Sequence, residues 1–162
     1  MWYLFEGELN IKEQLINLIL EYYEGHGWKY TELLGENPII EVLRPTWSMA
    51  EVRVSAVVSG TAVTVYTAYP TAVPQDRYAE LLELMAEINH IELLGNLELD
   101  MQTGRLRYKS HTLWGRYTMP NRQVLSRYLN AGIRIFDKYY ISLLGVIEGR
   151  LSVSEALKMT DE

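Results

Sequence analysis

The chain has 162 residues, 15 Lys and Arg against 21 Asp and Glu, and no cysteine. That length predicts a single domain over residues 1–162 with a core large enough to need no disulfide or metal; the missing thiol excludes disulfide frameworks, thiolate chemistry and cysteine-ligated zinc. A net charge of −6 argues against binding a nucleic-acid backbone, which takes clustered Lys and Arg.

The first eight residues, Met1 to Glu8, hold no basic segment and two early carboxylates, Glu6 and Glu8, so no secretory signal is expected there. Apolar runs are short, Leu15 to Leu20 being broken by Asn17, so no membrane span is predicted and the expected location is cytoplasmic. Asn10 with Glu13 three residues on reads as a helix N-cap and its reciprocal partner. The helix that follows carries Ile11, Leu15, Leu18, Ile19 and Tyr22 on one stripe and Ile16, Leu20 and Tyr23 on its neighbour. That apolar arc is wider than a surface helix needs. The helix is either wedged between a sheet and another helix or keeps a face for a partner. Gly25-His26-Gly27 ends it.

Trp28 to Leu34 reads as extended or irregular, Gly35 to Pro38 as a turn, and Ile39 to Leu43 as a strand stopped by Arg44-Pro45. A β-rich centre begins near Trp47, where Val52, Val54, Ala56 and Val58 alternate with Glu51, Arg53, Ser55 and Val57. Ser59-Gly60 is a tight turn, and Thr61 to Tyr69 returns with Val63, Val65 and Thr67 on the apolar side. The expected pairs on the other, mixed face are Ser55 with Thr64 and Arg53 with Tyr66. Residues 47–58 or 61–69 are the strands expected near a sheet edge.

Pro70 to Pro74 is a loop, and Pro74 and Asp76 open the next helix. Its stripe is Tyr78, Leu81, Leu82, Met85, Ile88 and Ile91, opposite Glu80, Glu83, Glu87 and Asn89. A hairpin follows, turning at Met101-Gln102-Thr103-Gly104. If Asp100 faces Arg105, then Glu98 meets Arg107 and Asn96 meets Lys109 on one face, while Leu99 meets Leu106 and Leu97 meets Tyr108 on the other. Thr118 or Met119 precedes a long helix with Pro120 in its first turn, and Leu125, Tyr128, Leu129, Phe136, Tyr139, Tyr140, Leu143 and Ile147 follow one face. Gly132 in that helix allows close approach of a neighbour, and Gly149 closes it. Ser152 and Glu155 form a capping box for a short helix over residues 152–160. The order α-β-β-β-α-β-β-α predicts an α+β protein, an antiparallel sheet of about five strands packed with helices.

Chemistry-bearing patterns are sparse. Glu87-x-x-His90, with Glu83 a turn earlier, is half of a di-metal helix signature; the other half is missing, so no metal is expected. There is no nucleophile elbow, phosphate loop or dinucleotide fingerprint, hence no catalytic residue, no cofactor and no enzyme is predicted. The aromatic set stands out: 12 Tyr and 4 Trp against 2 Phe. Rings with a polar end suit sites that are dry on one side and wet on the other. Trp28, Tyr30, Trp47, Tyr66, Tyr69 and Trp114, with Arg53, are the candidate protein-interaction residues; roofing the sheet within the monomer is the alternative.

The helix Leu84-Met-Ala-Glu-Ile-Asn-His90, then Leu93-Leu-Gly-Asn96, then Leu97-Glu-Leu-Asp100 and Gly104-Arg-Leu-Arg-Tyr108 resemble the YbjN family. Asp137-Lys-Tyr-Tyr140 and Leu143-Leu144 are similar to its closing segment, and the likeness covers roughly residues 47 to 148. The resemblance implies a fold similar to the type III secretion chaperones and supplies no catalytic residue. It implies a non-enzymatic, chaperone-like or regulatory protein-binding adaptor that works as a homodimer on other proteins. The alternative it implies is a small-molecule-sensing regulator, which needs an apolar pocket.

Overall fold

The computed structural model describes residues 3–48, 51–115, 118 and 120–159. In chain order the elements are α1 (Tyr3–Gly25), β1 (Tyr30–Leu33), β2 (Ile39–Arg44), β3 (Val52–Ser59), β4 (Ala62–Ala68), a 3-10 turn (Gln75–Arg77), α2 (Tyr78–Ile91), β5 (Gly95–Asp100), β6 (Arg105–Leu113), α3 (Arg122–Ile147) and α4 (Val153–Lys158). The strands form one antiparallel sheet in the order β1-β2-β3-β4-β6-β5. The fold is α+β as expected, with six described strands where about five were predicted. The extra one is β1, whose residues are exposed apart from the half-buried Tyr30. An edge strand lying mostly in water has no apolar alternation to announce it.

The core lies on one face of this sheet. The cross-strand row Val42–Val54–Thr67–Tyr108–Leu97 is buried from end to end, and the next row holds Ile40, Ala56, Val65 and Ser110. Over them lies α3, packed on β3, β4 and β6; α1 packs on β3 and α3, and α2 on β5, α3 and α4. The helices present Leu15, Ile19, Leu81, Ile88, Leu129 and Phe136, each 0–1% exposed. Burying such side chains contributes roughly 1.5–3 kcal/mol apiece, so this face holds the fold together. Gly132 sets how closely α3 can lie: a Cβ there would fall 2.2 Å from Thr67 Oγ1 on β4.

The β5–β6 register is the expected one, with Asp100 opposite Arg105, Glu98 opposite Arg107 and Leu97 opposite Tyr108. The β3–β4 register differs from expectation by two residues. Ser59 pairs with Ala62, so Ser55 faces Tyr66, not Thr64, and Arg53 faces Ala68, not Tyr66. The loop residues are Gly60 and Thr61, with Gly60 at φ +56 and no non-glycine residue at positive φ among the described residues. Glycine at the first loop position is what a two-residue hairpin turn of this hand selects. A slip of two keeps every side chain on its predicted face, because the strand period is two.

Three further expectations are corrected. Residues 52–59 and 62–68 are interior strands, and the edges are β1 and β5, because β1–β2 add on one side of that hairpin and β5–β6 on the other. Helix α1 begins at Tyr3 and runs through Asn10; Leu4, Glu6, Glu8 and Leu9 ahead of it are good helix formers, enough to carry the helix past Gly7 and the capping preference of Asn10. Helix α3 is capped by Asn121, whose Oδ1 accepts from Gln123 N at 2.8 Å and Val124 N at 3.1 Å. Pro120 precedes that cap, and Met119 lies outside the described residues. The capping box at α4 has both its bonds: Ser152 N donates to Glu155 Oε2 at 2.8 Å and Glu155 N to Ser152 Oγ at 3.3 Å. The helix ends at Lys158, and residue 160 is outside the described set.

Candidate functional site

No helix among the described residues packs on the opposite face of the sheet. One row across it reads Leu43–Arg53–Ala68–Arg107–Glu98, and the next reads Glu41–Ser55–Tyr66–Lys109–Asn96. These are the alternate residues of the same strands that build the core, so a period of two sends half of each strand into water. Ala68 is the small member of its row. With strands about 4.8 Å apart, it leaves a gap about 10 Å wide between the Arg53 and Arg107 backbones. That gap belongs to a groove of about 650 Å³ that crosses the strands from Ile39 and Glu41 to Arg105 and Arg107, with Tyr69 and Pro70 at one end.

The groove's charged groups are unequally satisfied. Arg107 donates from Nε to Glu98 Oε2 at 2.9 Å, with its Nη2 2.8 Å from the same oxygen as an ion pair, and its guanidinium lies 4.3 Å from the Tyr66 ring centre. Lys109 reaches the other Glu98 oxygen at 3.4 Å. Partial burial pushes the Glu98 carboxyl up, but the hydrogen bond and charge of Arg107, with Lys109 behind it, outweigh that and hold it below the usual carboxylate range. Glu41 accepts from Ser55 Oγ at 2.8 Å and from Arg53 at only 3.5 Å, near the limit of a hydrogen bond. The Arg105 guanidinium has no hydrogen bond or ion pair among the described residues. At the groove end, Tyr69 packs edge-on to Phe136, ring centres 5.6 Å apart. Burial, then the neighbouring Tyr140 and Glu148, push its phenol up to about 12, so it is a neutral hydroxyl at neutral pH and not a base.

Of the residues singled out from sequence, Arg53, Tyr66 and Tyr69 come together in this groove. The others do not. Trp114 is 6% exposed and belongs to the core. Trp28 is half-buried beside α1, stacked on His26 at 4.4 Å with the Arg44 guanidinium 3.3 Å above its ring. Arg44 is held in turn by Asn130 Oδ1 at 3.1 Å, and half-burial lowers its pKa. Tyr30 donates to Glu24 Oε1 at 2.7 Å. Trp47 is 99% exposed, on a loop fixed by one carboxylate oxygen of Asp137, which accepts from Trp47 N at 3.0 Å, Ser48 N at 3.2 Å and Ser48 Oγ at 2.7 Å. Glu83, Glu87 and His90 are exposed along α2, and no metal-holding group of three acidic or histidine side chains occurs among the described residues.

The two sheet edges differ. On β5, the Asn89 amide of α2 mimics a neighbouring strand: its Oδ1 accepts from Leu97 N at 2.7 Å and its Nδ2 donates to Leu97 O at 3.1 Å. That covers the middle of the edge against further strands. No such cap lies on β1 among the described residues, and beside it Leu33 and Leu34 are 48% and 85% exposed. The sequence pattern does not mark Arg105 and Ala68 as groove residues. Their placement depends on which strand lies between β3 and β6, and only the β4–β6 pairing settles that.

These observations define a two-layer α+β protein with one face of its sheet bare. The YbjN family model, described as "Putative bacterial sensory transduction regulator", matches residues 16–144, and the chain belongs to that family. No curated protein and no solved structure matches it. Among the described residues no helix is long and apolar enough to cross a membrane.

Proposed function

We propose that the chain is a regulatory adaptor of the cytoplasm that binds other proteins, chaperone-like and without catalysing a reaction, and that it acts as a homodimer. The observation that carries this reading is the bare sheet face with its groove. Every described helix lies on the other face, and the strands turn alternate side chains to solvent here. The family's description as a sensory regulator agrees with a protein whose output is an interaction. The groove crosses the strands, so a segment lying in it is read through side chains. Strand addition, the other common mode, is supported at β1, the uncapped edge; that edge, with Leu33 and Leu34 beside it, is the surface this reading gives to a second copy.

A photo-reactive residue in place of Tyr66 is expected to cross-link a discrete partner in cells, and the same residue in place of the exposed Glu83 on α2 is not. Equal yields at both sites contradict the reading. Light scattering is expected to give twice the chain mass, and a strict monomer at high concentration removes the homodimer. One observation favours a second reading, a small-molecule sensor: the groove volume of about 650 Å³ lies within the range of small-ligand sites. A small molecule retained in a native mass spectrum, and lost on Ala68→Trp, decides for it.

A further inference from the structure

Within that protein-binding reading, we propose that the groove on the bare face receives an acidic, extended segment of the partner, its carboxylates seated on Arg53, beside Ala68, and on Arg105, across β4 and two residues along β6 from the Arg107 that faces Ala68. Charge distinguishes this surface first. The chain carries −6 overall, but three arginines and one glutamate line the groove. The sign of the surface is therefore reversed where the sheet is bare, and an acidic partner is drawn to this site and repelled elsewhere.

The three arginines are not equally available. Arg107 is committed to Glu98 by a hydrogen bond and an ion-pair contact on one oxygen, which with its stacking on Tyr66 makes it a fixed wall. Arg53 reaches Glu41 at 3.5 Å with 61% of its side chain exposed, while Glu41 is better bound to Ser55 at 2.8 Å. The Arg105 guanidinium has no hydrogen bond or ion pair among the described residues; Asp100 faces it across the hairpin, but that carboxylate is held first by Thr103 and Gln102 and only then by the charge of Arg105. Two guanidiniums are thus under-used, one on each side of the groove, and each is geometrically suited to take a carboxylate with two parallel N–H bonds.

Shape favours a segment over a single anion. Between the two arginines lies β4, with Ala68 opposite Arg53 and Pro70 beyond it in the groove, while Ser55 and Tyr66 pair on the side of Ala68 away from Arg105; the groove lining has apolar and hydroxyl patches and, among the described residues, Glu41 as its one carboxylate. A chain with acidic residues separated by small ones fits this lining. Arg53 and Arg105 stand on different strands with β4 between them, so an extended segment crossing β4 can seat a separate carboxylate on each.

The test is fluorescence anisotropy with two labelled peptides of alternating sequence, glutamate–serine and glutamine–serine, against the full chain. The acidic peptide is expected to bind about tenfold or more tightly than its neutral counterpart, and to weaken as salt is raised. Arg53→Glu with Arg105→Glu is expected to remove most of that binding; the milder pair Arg53→Gln with Arg105→Gln, checked by a melting curve, is expected to show the same loss if the first pair fails to fold. Equal affinity for both peptides overturns the inference, as does unchanged affinity in either variant pair. Free glutarate or phosphate competing at the peptide's own concentration also overturns it, because that identifies a small-anion pocket. The protein-binding reading fails separately: if the Tyr66 cross-link to a partner survives Arg53→Glu with Arg105→Glu, only the acidic segment is lost.

Discussion

The two faces of this sheet are built from the same strands and share every backbone hydrogen bond, yet they differ in kind. On the helix side Val54, Ala56, Val58 and Val63 are fully buried; one residue along in each case, Arg53, Ser55, Val57 and Thr64 meet water wholly or in part. The first face is intolerant of change because its atoms have nowhere to go. The second is held by pairs such as Arg107 with Glu98, which set geometry more than stability. The contrast teaches that the fold's stability is one-sided, and so a residue can be assigned to structure or to binding by the parity of its position.

That division can be broken by substitution. The largest effect is expected from Phe136→Ala, beneath Tyr69 and fully buried, which should lower unfolding free energy by about 3–5 kcal/mol in a urea titration. Gly132→Ala comes next, since its Cβ would collide with Thr67; a loss of about 1–3 kcal/mol is expected. On the bare face Glu98→Gln should cost only about 0.5 kcal/mol at neutral pH. Its sign with pH is fixed: the Glu98 pKa is lowered in the folded chain, so its contribution is complete above the unfolded carboxylate value of about 4.3 and is lost as pH falls through the lower, folded one. Melting curves between neutral and acid pH should therefore converge for wild type and Glu98→Gln at the acid end. The smallest effect, within about 0.5 kcal/mol, is expected for Arg53→Ala. A bare-face loss as large as that of Phe136→Ala would dissolve the contrast.

Much of this is legible in the chain itself. The β5–β6 register follows from charges and apolar residues that pair only one way, and the Ser152–Glu155 box from a motif whose two bonds close on themselves. The expectations that failed are those where local preference met a competitor. Asn10 has a capping side chain, but the segment before it is helix-forming; β1 has no pattern to show because its residues are exposed. The groove is half visible. Arg53, Tyr66 and Tyr69 stand out as amphipathic groups on a mixed face, whereas Arg105 enters it only through the β4–β6 pairing, a contact between strands some forty residues apart in the chain. Trp114 has the same composition signal as Tyr66 but opposite burial. Ring chemistry alone does not distinguish a roof from an interface.

The most direct test of the bare face as the binding surface is a nitrogen-15 shift map of the chain, titrated with the partner segment captured at Tyr66. The account predicts shifts concentrated at Arg53, Ser55, Ala68, Arg105 and Arg107, with the α2 residues Glu83 and Glu87 unmoved. Shifts gathered on the helices, with those strand positions silent, would contradict it.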